Sequence, residues 1–123
     1  MEKAIHNLGK DARLHIIHIL LQNRSKKELA DELGITPAAI TKYLKGITHP
    51  SDEIIEKCIE IASEDEEYHE IIKVIVSDIT EALMELLREI GIEKMIDNED
   101  IQKLKKLLDK AFDKMLSTSP SFV

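Results

Sequence analysis

Aromatic side chains are nearly missing from this sequence of 123 residues. Trp does not occur at all, and the aromatic residues together make up 3% of the chain. A folded core must therefore be built from aliphatic side chains, above all Ile and Leu. Only four Gly and three Pro are present, so the turn signals that separate the short strands of a β-sandwich are also scarce. Both shortages favour an all-α fold.

Cysteine is equally scarce, since Cys58 is the only one. A single Cys excludes an internal disulfide and favours a reducing, cytoplasmic location. We find no signal-peptide pattern at the N-terminus and no apolar run near the roughly 18 residues that span a membrane, so we expect no membrane partner. The chain is globular, since 43% of its residues are hydrophobic and 33% are charged. Its composition resembles that of thermophile proteins, because Ile, Lys and Glu are frequent and Gln is rare.

Charge is distributed unevenly along the chain. The formal net charge is −7, which by itself argues against a nucleic-acid partner. Residues 1–50, however, carry eight basic and five acidic residues, giving +3, whereas residues 51–123 carry −10. Such asymmetry is typical of a nucleic-acid-binding segment joined to an acidic segment with another partner.

Helix signals follow one another through the first half of the chain. The apolar spacing predicts a helix over residues 10–22. Ser25 and Glu28 form a capping box for a second helix, which ends at Gly34 because Gly accepts the left-handed conformation. Thr36 and Pro37 begin a third helix as its cap and first residue. This helix ends at Gly46, and Ser51 is predicted to cap a fourth.

The second half shows a longer pattern. Between Tyr68 and Ile90, apolar residues repeat at heptad spacing, in a seam made of Ile72, Val76, Ile79, Leu83, Leu86 and Ile90. The seam has two interpretations, an internal core stripe or a surface for self-association. Gly91 ends this helix, Asp97 or Asn98 caps a last one, and residues 117–123 are expected to form a flexible tail.

Residues 25–51, SKKELADELGITPAAITKYLKGITHPS, resemble the lambda-repressor/Cro-like (XRE) helix-turn-helix family. The likeness rests on two short predicted helices, the turn between them and the segment from Gly46 to Pro50 that leaves the second helix. The residues that match the family pattern are Leu29, Ala30, Leu33, Gly34, Ile35, Thr36, Ile40, Thr41, Gly46 and Pro50. It extends over roughly residues 10–62. In this motif the small Ala30 permits a close helix crossing, Ile40 fills the crossing, and the second helix presents its N-terminal end to a major groove.

The resemblance implies a DNA-binding domain over residues 1–62, with residues 63–116 left for dimerisation or an effector. The DNA-binding residues would be Lys26, Lys27, Thr36, Pro37, Ala38, Ala39, Thr41, Lys42 and Lys45. Lys26 stands where the family usually has Gln, and Pro37 replaces a side chain that often reads a base. Lys42 could contact a guanine edge or a phosphate.

We therefore expect a transcription regulator, a repressor in the simplest case, that binds double-stranded DNA as a homodimer on a pseudo-palindromic operator. The seam residues would form the dimer interface. An unidentified effector or protein partner stays open. Two alternatives remain, an antitoxin-like interaction module on the same fold and a winged-helix regulator. The absence of a β-hairpin pattern after Gly46 counts against the second alternative.

Other combinations of reactive side chains are weaker. His15 and His18 are three apart on one helix but lack further ligands for a metal. Glu66 and His69 have the spacing of di-iron bundles, which need the motif twice. Cys58 lies on an apolar helix face and is expected to be a small buried residue. The sequence thus gives no reason to expect a metal, a cofactor or an enzyme.

Overall fold

The computed structural model describes residues 1–62 and 65–118, which fold into helices throughout. The helices are α1 Glu2–His6, α2 Lys10–Leu21, α3 Lys26–Leu33, α4 Pro37–Leu44, α5 Asp52–Ile61, α6 Asp65–Ile90, a 3₁₀ turn Ile92–Met95 and α7 Glu99–Thr118. No strand occurs in these two ranges, so the all-α prediction is confirmed. Where a winged helix would need a β-hairpin after Gly46, the chain proceeds to α5, which excludes that alternative.

The helices begin at the polar residues that the sequence predicts. Ser25 Oγ accepts from the amide of Glu28 at 3.1 Å, and the Glu28 carboxylate accepts from the Ser25 amide at 3.3 Å, which completes the capping box. Ser51 Oγ accepts from the Ile54 amide at 3.2 Å at the start of α5. Asn98, one of the two predicted candidates, caps α7 through Oδ1, which accepts from two backbone amides.

Packing divides the chain into two compact units, Met1–Ala82 and Leu83–Val123. The core of the first unit is aliphatic, as expected, and contains Ile16, Ile17, Leu20, Leu29, Leu33, Ile40 and Ile55, all fully buried. Ile71 and Ile75 of α6 belong to the same core. The first part of α6 therefore packs with the helix-turn-helix, and the functional division after residue 62 stays a prediction.

Several boundaries differ from the sequence-based expectation. Helix α1 is missed because five residues are too short to show a period. Helix α6 starts at Asp65, so the acidic segment before Tyr68 is largely the polar first turn of the helix; residues 63 and 64 lie outside the described ranges. Helix α7 continues through Thr118, so the predicted tail does not start at residue 117. The rest of that tail, residues 119–123, also lies outside the described ranges.

The heptad seam does not coincide with the core face of α6. Ile72 and Ile79 are half-buried against the core of the first unit, but Val76, Leu86 and Ile90 are 56%, 49% and 40% exposed. The fully inward positions belong to Ile71 and Ile75 instead. Three of the six seam residues are therefore exposed within this single chain, and the other three, Ile72, Ile79 and Leu83, are half-buried.

The second unit buries little apolar surface. Large apolar side chains that are at least 40% exposed include Met84, Leu86, Ile90, Ile92, Ile96, Leu107, Leu108, Phe112, Met115 and Leu116. None of the helices in residues 1–62 and 65–118 has the length and apolar composition to cross a membrane. An apolar surface of this extent marks an interaction site in a globular protein.

Candidate nucleic-acid interface

The turn between α3 and α4 depends on Gly34. Its φ of 71° lies in the left-handed region, which side chains with a Cβ rarely adopt. The chain closes behind it through a hydrogen bond from the Ile35 amide to the Ala30 carbonyl at 2.9 Å, as in the usual glycine-terminated helix end. Two residues later Thr36 Oγ1 accepts from the Ala39 amide at 3.1 Å, and Pro37 occupies the first helical position. The predicted turn chemistry is confirmed.

The crossing of α3 and α4 is held by small and aliphatic side chains. Ala30 and Ile40 are both fully buried, so the small residue and the filling residue lie where the helix-turn-helix motif requires them. Tyr43 of α4 is buried as well, and this burial raises the pKa of its hydroxyl. Because these side chains face inward, the opposite side of α4 is directed to solvent.

The predicted DNA-binding residues belong to the start of α3 and to α4 with its two ends, and most of them are open to solvent. Lys26, Lys27, Thr36, Pro37, Ala38, Lys42 and Lys45 are exposed, while Ala39 and Thr41 are half-buried. Ala38, Lys42 and Lys45 share one helix face because they are spaced by four and three residues. The structure thus places seven of the nine residues where a ligand can reach them.

Lys26 and Thr41 connect the two helices of the motif at their exposed edge. The Lys26 ammonium lies 3.5 Å from Thr41 Oγ1, and Thr41 Oγ1 also donates to the Pro37 carbonyl at 3.2 Å. The N-terminus of α3 and the recognition face of α4 therefore lie side by side. A phosphate at this point would meet a positive charge from α3 and the face of α4 together.

Arg24 is basic and adjacent to this face, yet its side chain is directed inward. Its guanidinium donates to Glu67 at 2.8 Å, to Glu32 at 3.0 Å and to the Ile61 carbonyl at 3.2 Å. The Arg24 and Glu67 side chains are only 10% and 5% exposed. Arg24 is therefore a positioning residue that joins the start of the helix-turn-helix to α6, and it is not available to DNA.

Glu67 is kept ionised by this contact. Burial alone would raise its pKa, but hydrogen bonds from Arg24 and Asn23 and the charge of Arg24 outweigh burial and lower the pKa. The second carboxylate oxygen, Oε1, is buried and accepts no hydrogen bond within the part of the chain that the structure describes. Asn23 and Arg24 thus both hold Glu67 through Oε2.

Arg13 holds the other side of the domain together. Although charged, it is buried in α2 and donates to the carbonyls of Leu8, Ile5 and Pro50 at 3.0, 2.8 and 3.0 Å. It also donates to Asp52 at 2.7 Å. Hydrogen bonds from His6 and then from Arg13 lower the pKa of the Asp52 carboxyl. One side chain therefore ties the end of α1 and the segment after α4 to α2.

Sequence reasoning missed both arginines as structural residues. Arg13 does carry a signal, because it is in helical register with the buried Ile17 and Leu20 and so faces the core. Arg24 carries no such signal in the sequence, because its main partner Glu67 is 43 residues away.

The weaker sequence motifs do not form sites. His15, His18, Glu66 and His69 are all exposed, and in residues 1–62 and 65–118 no three His, Cys, Asp or Glu side chains are grouped closely enough to hold a metal ion. Cys58 is fully buried, and burial raises the pKa of its thiol to about 12. The prediction that Cys58 is a small buried residue is confirmed.

The crossing helices, the glycine turn and the exposed face of α4 define a DNA-binding helix-turn-helix. The helix-turn-helix family model HTH_3 matches residues 19–62, from the last turn of α2 to the end of α5. This segment belongs to the lambda-repressor/Cro-like (XRE) helix-turn-helix family, which confirms the resemblance. The chain therefore carries the DNA-binding domain of a transcription regulator. Comparisons with curated proteins and with solved structures gave no significant match.

Proposed function

We propose that the protein is a sequence-specific repressor that binds a pseudo-palindromic operator as a homodimer. The observation that carries this proposal is the exposed face of α4, which presents Ala38, Lys42 and Lys45 on a helix-turn-helix of the XRE family. Occupancy of an operator that overlaps a promoter blocks initiation, which is the simplest regulatory outcome of such binding.

The side chains on this face favour binding dominated by phosphate contacts. Lys26, Lys27 and Lys45 would contact the backbone and fix the register of the domain. Ala38 can offer only apolar contact, for example to a thymine methyl, while Thr41 and Lys42 can reach polar base edges. We therefore expect steep salt dependence, with a slope that falls by about one unit for each phosphate-contacting Lys removed.

The exposed part of the seam supports the homodimer. Two half-sites on one face of B-DNA lie about 34 Å apart, and a two-fold dimer presents two recognition helices at that separation. Val76, Leu86 and Ile90 are exposed in the single chain and would be covered in the dimer. The net charge of −10 after residue 50 would keep the dimer-forming part away from the DNA.

Selection of genomic fragments with the purified full chain tests DNA recognition. We expect enriched fragments to contain inverted half-sites centred about 10 base pairs apart, and Lys42→Ala to weaken their binding and reduce the salt slope. Lys94→Ala, an exposed Lys in the 3₁₀ turn, is the matched control and should bind like the original chain. The proposal is wrong if no fragment is enriched at low salt.

Sedimentation of the full chain tests the homodimer. Truncation after residue 63 is unsuitable, because it would remove Ile71 and Ile75 from the core of the first unit. Leu86→Glu changes an exposed seam residue and should shift the chain towards monomer, whereas Thr80→Glu adds the same charge at an exposed position outside the seam. A full chain that is monomeric at high micromolar concentration contradicts the homodimer.

A further inference from the structure

The segment that follows α4 carries an exposed apolar side chain. Ile47 is 65% exposed, although isoleucine is one of the residues most often buried in folded proteins. Among the Ile, Leu, Met and Tyr side chains of residues 1–62, only Met1 and Ile47 are exposed. Ile47 is therefore the one exposed side chain of this kind within residues 19–62, the segment that matches the helix-turn-helix family.

The backbone of Ile47 is fixed by the end of α4. Gly46, with a φ of 72°, ends the helix, and its amide donates to the Tyr43 carbonyl at 3.0 Å. The Ile47 amide donates to the Lys42 carbonyl, also at 3.0 Å. In a helix end of this kind, an apolar residue after the Gly commonly packs on the last turn of the helix. Ile47 is bound to that turn through its backbone, yet most of its side chain stays in solvent.

The lysines nearest to Ile47 along the chain have no acidic partner. Lys42 and Lys45 are exposed, and neither forms an ion pair with any side chain of residues 1–62 or 65–118. Arg13 and Arg24, by contrast, are both paired with carboxylates. The end of α4 therefore combines unpaired positive charge with one apolar side chain. A partner that fits this surface carries anionic groups and apolar carbon side by side.

The backbone of DNA has this composition, because it alternates phosphates with deoxyribose rings. The recognition helix of a helix-turn-helix presents its N-terminal residues to the base edges. Helix α4 has eight residues and is therefore about 12 Å long, whereas the major groove is about 8.5 Å deep. When the N-terminal end of α4 enters the groove, its C-terminal end lies at the rim, among sugars and phosphates. Ile47 follows directly after this end.

From this placement we propose that Ile47 packs on a deoxyribose of the bound DNA, beside the phosphate that Lys45 contacts. The contact is apolar and does not depend on the base sequence, so it raises the affinity for all duplexes alike. It also releases no counterion, so its contribution does not change with the salt concentration. The inference rests on the DNA binding of the proposed function and does not require the homodimer.

Removal of the apolar side chain tests the contact. The probes are an alternating dG-dC duplex, which lacks the thymine methyl, and an alternating dA-dT duplex. Ile47→Ala in the full chain should weaken binding to both duplexes by roughly fivefold, because apolar surface is no longer covered. The slope of log affinity against log salt concentration should stay unchanged. Ile47→Leu keeps the apolar surface and is the matched control, with an expected affinity within about twofold of the original chain. Fluorescence anisotropy over a salt series measures both quantities.

An added charge tests how close this position lies to the phosphates. Ile47→Lys should steepen the salt slope by about one unit, because its ammonium reaches a phosphate next to the deoxyribose. Thr80→Lys adds the same charge at an exposed position of α6, outside the helix-turn-helix, and should leave the slope unchanged. Thermal unfolding checks the fold of each variant. Because the Ile47 side chain is exposed and its hydrogen bond is made by the backbone, we expect no change in Tm.

The outcomes separate this inference from the proposed function. Equal binding by Ile47→Ala and the original chain overturns the deoxyribose contact, and so does an unchanged slope for Ile47→Lys. A loss of affinity for the dA-dT duplex alone overturns it in favour of a thymine methyl. Genomic selection that still enriches fragments leaves the proposed function intact in each of these cases. An original chain that binds neither the genomic fragments nor the two duplexes overturns both.

Discussion

Arg24 Nη1 and Glu67 Oε2 lie 2.8 Å apart in a buried ion pair. The pair joins the residue before the cap of α3 to the first turn of α6. Because desolvation offsets much of the attraction between buried charges, such a pair adds little net stability, but it leaves an uncompensated charge when one partner is removed. Its structural effect is to fix the place at which α6 meets the helix-turn-helix.

Glu67→Met should therefore destabilise the protein. We expect a loss of about 3 kcal/mol in the free energy of unfolding, because Arg24 then remains buried without its main partner. Urea denaturation at neutral pH measures the change. Lys105→Ala, which removes the exposed Lys105–Asp109 pair within α7, is the control and should cause no measurable change. Equal stability of both variants would contradict the role of the buried pair.

The same ion pair should make the stability of the folded chain depend on pH. The pKa of Glu67 is lower in the folded chain than its ordinary value of 4.5, so its stabilisation is complete above that value. It is lost as the pH falls from there through the lowered pKa, because the folded chain must then take up a proton. Glu67→Gln should reduce the difference between the free energy of unfolding at pH 7 and that at acidic pH. An unchanged difference would contradict the prediction.

Gly34 should be sensitive to the smallest substitution. Its φ is 71°, and the nearest atom to an added Cβ is Lys57 Nζ at 4.0 Å, so the cost of Gly34→Ala is conformational and not steric. We expect about 1–2 kcal/mol of destabilisation. Gly9→Ala is the matched control, because Gly9 has a φ of −73° and should change stability little. Thermal unfolding of both variants gives the comparison; similar shifts in Tm would argue against a strained position.

Cys58 should be unreactive in the folded chain. It is fully buried and its thiol has a pKa of about 12, so both access and the reactive thiolate are lacking at pH 8. We expect a thiol reagent to label it at least about 1000-fold more slowly than in denaturant, because labelling requires opening of the core. Ser77→Cys with Cys58→Ala provides an exposed reference. Native labelling of Cys58 at the reference rate would contradict its burial.

Local signals made most of the fold predictable. Ser25 with Glu28, Thr36 with Pro37, and Ser51 each act within three residues of their own position, so their effect can be read from the sequence. The core face of α6 could not be chosen in this way. Residues 71–76 are apolar at five of six positions, and which of them face inward depends on the helices they meet.

The candidate DNA-binding face was likewise predictable where local signals determine it. Exposure of Lys42 and Lys45 follows from the helix period once Ile40 and Tyr43 are placed in the core. The inward direction of Arg24 does not follow, because only the position of Glu67 distinguishes it from a phosphate-binding Arg. Long-range partners are therefore what the sequence alone leaves undetermined.

Helix α2 shows what such a partner means for folding. Gly9 at its start has no side chain to cap the helix. The amide of Gly9 itself donates to Asp78 Oδ2 of α6 at 3.0 Å. The acceptor comes from 69 residues further along the chain, so closing this contact requires a long loop to be ordered first. The Gly9 amide therefore obtains its acceptor from α6, so the start of α2 and the middle of α6 are joined directly in the folded first unit.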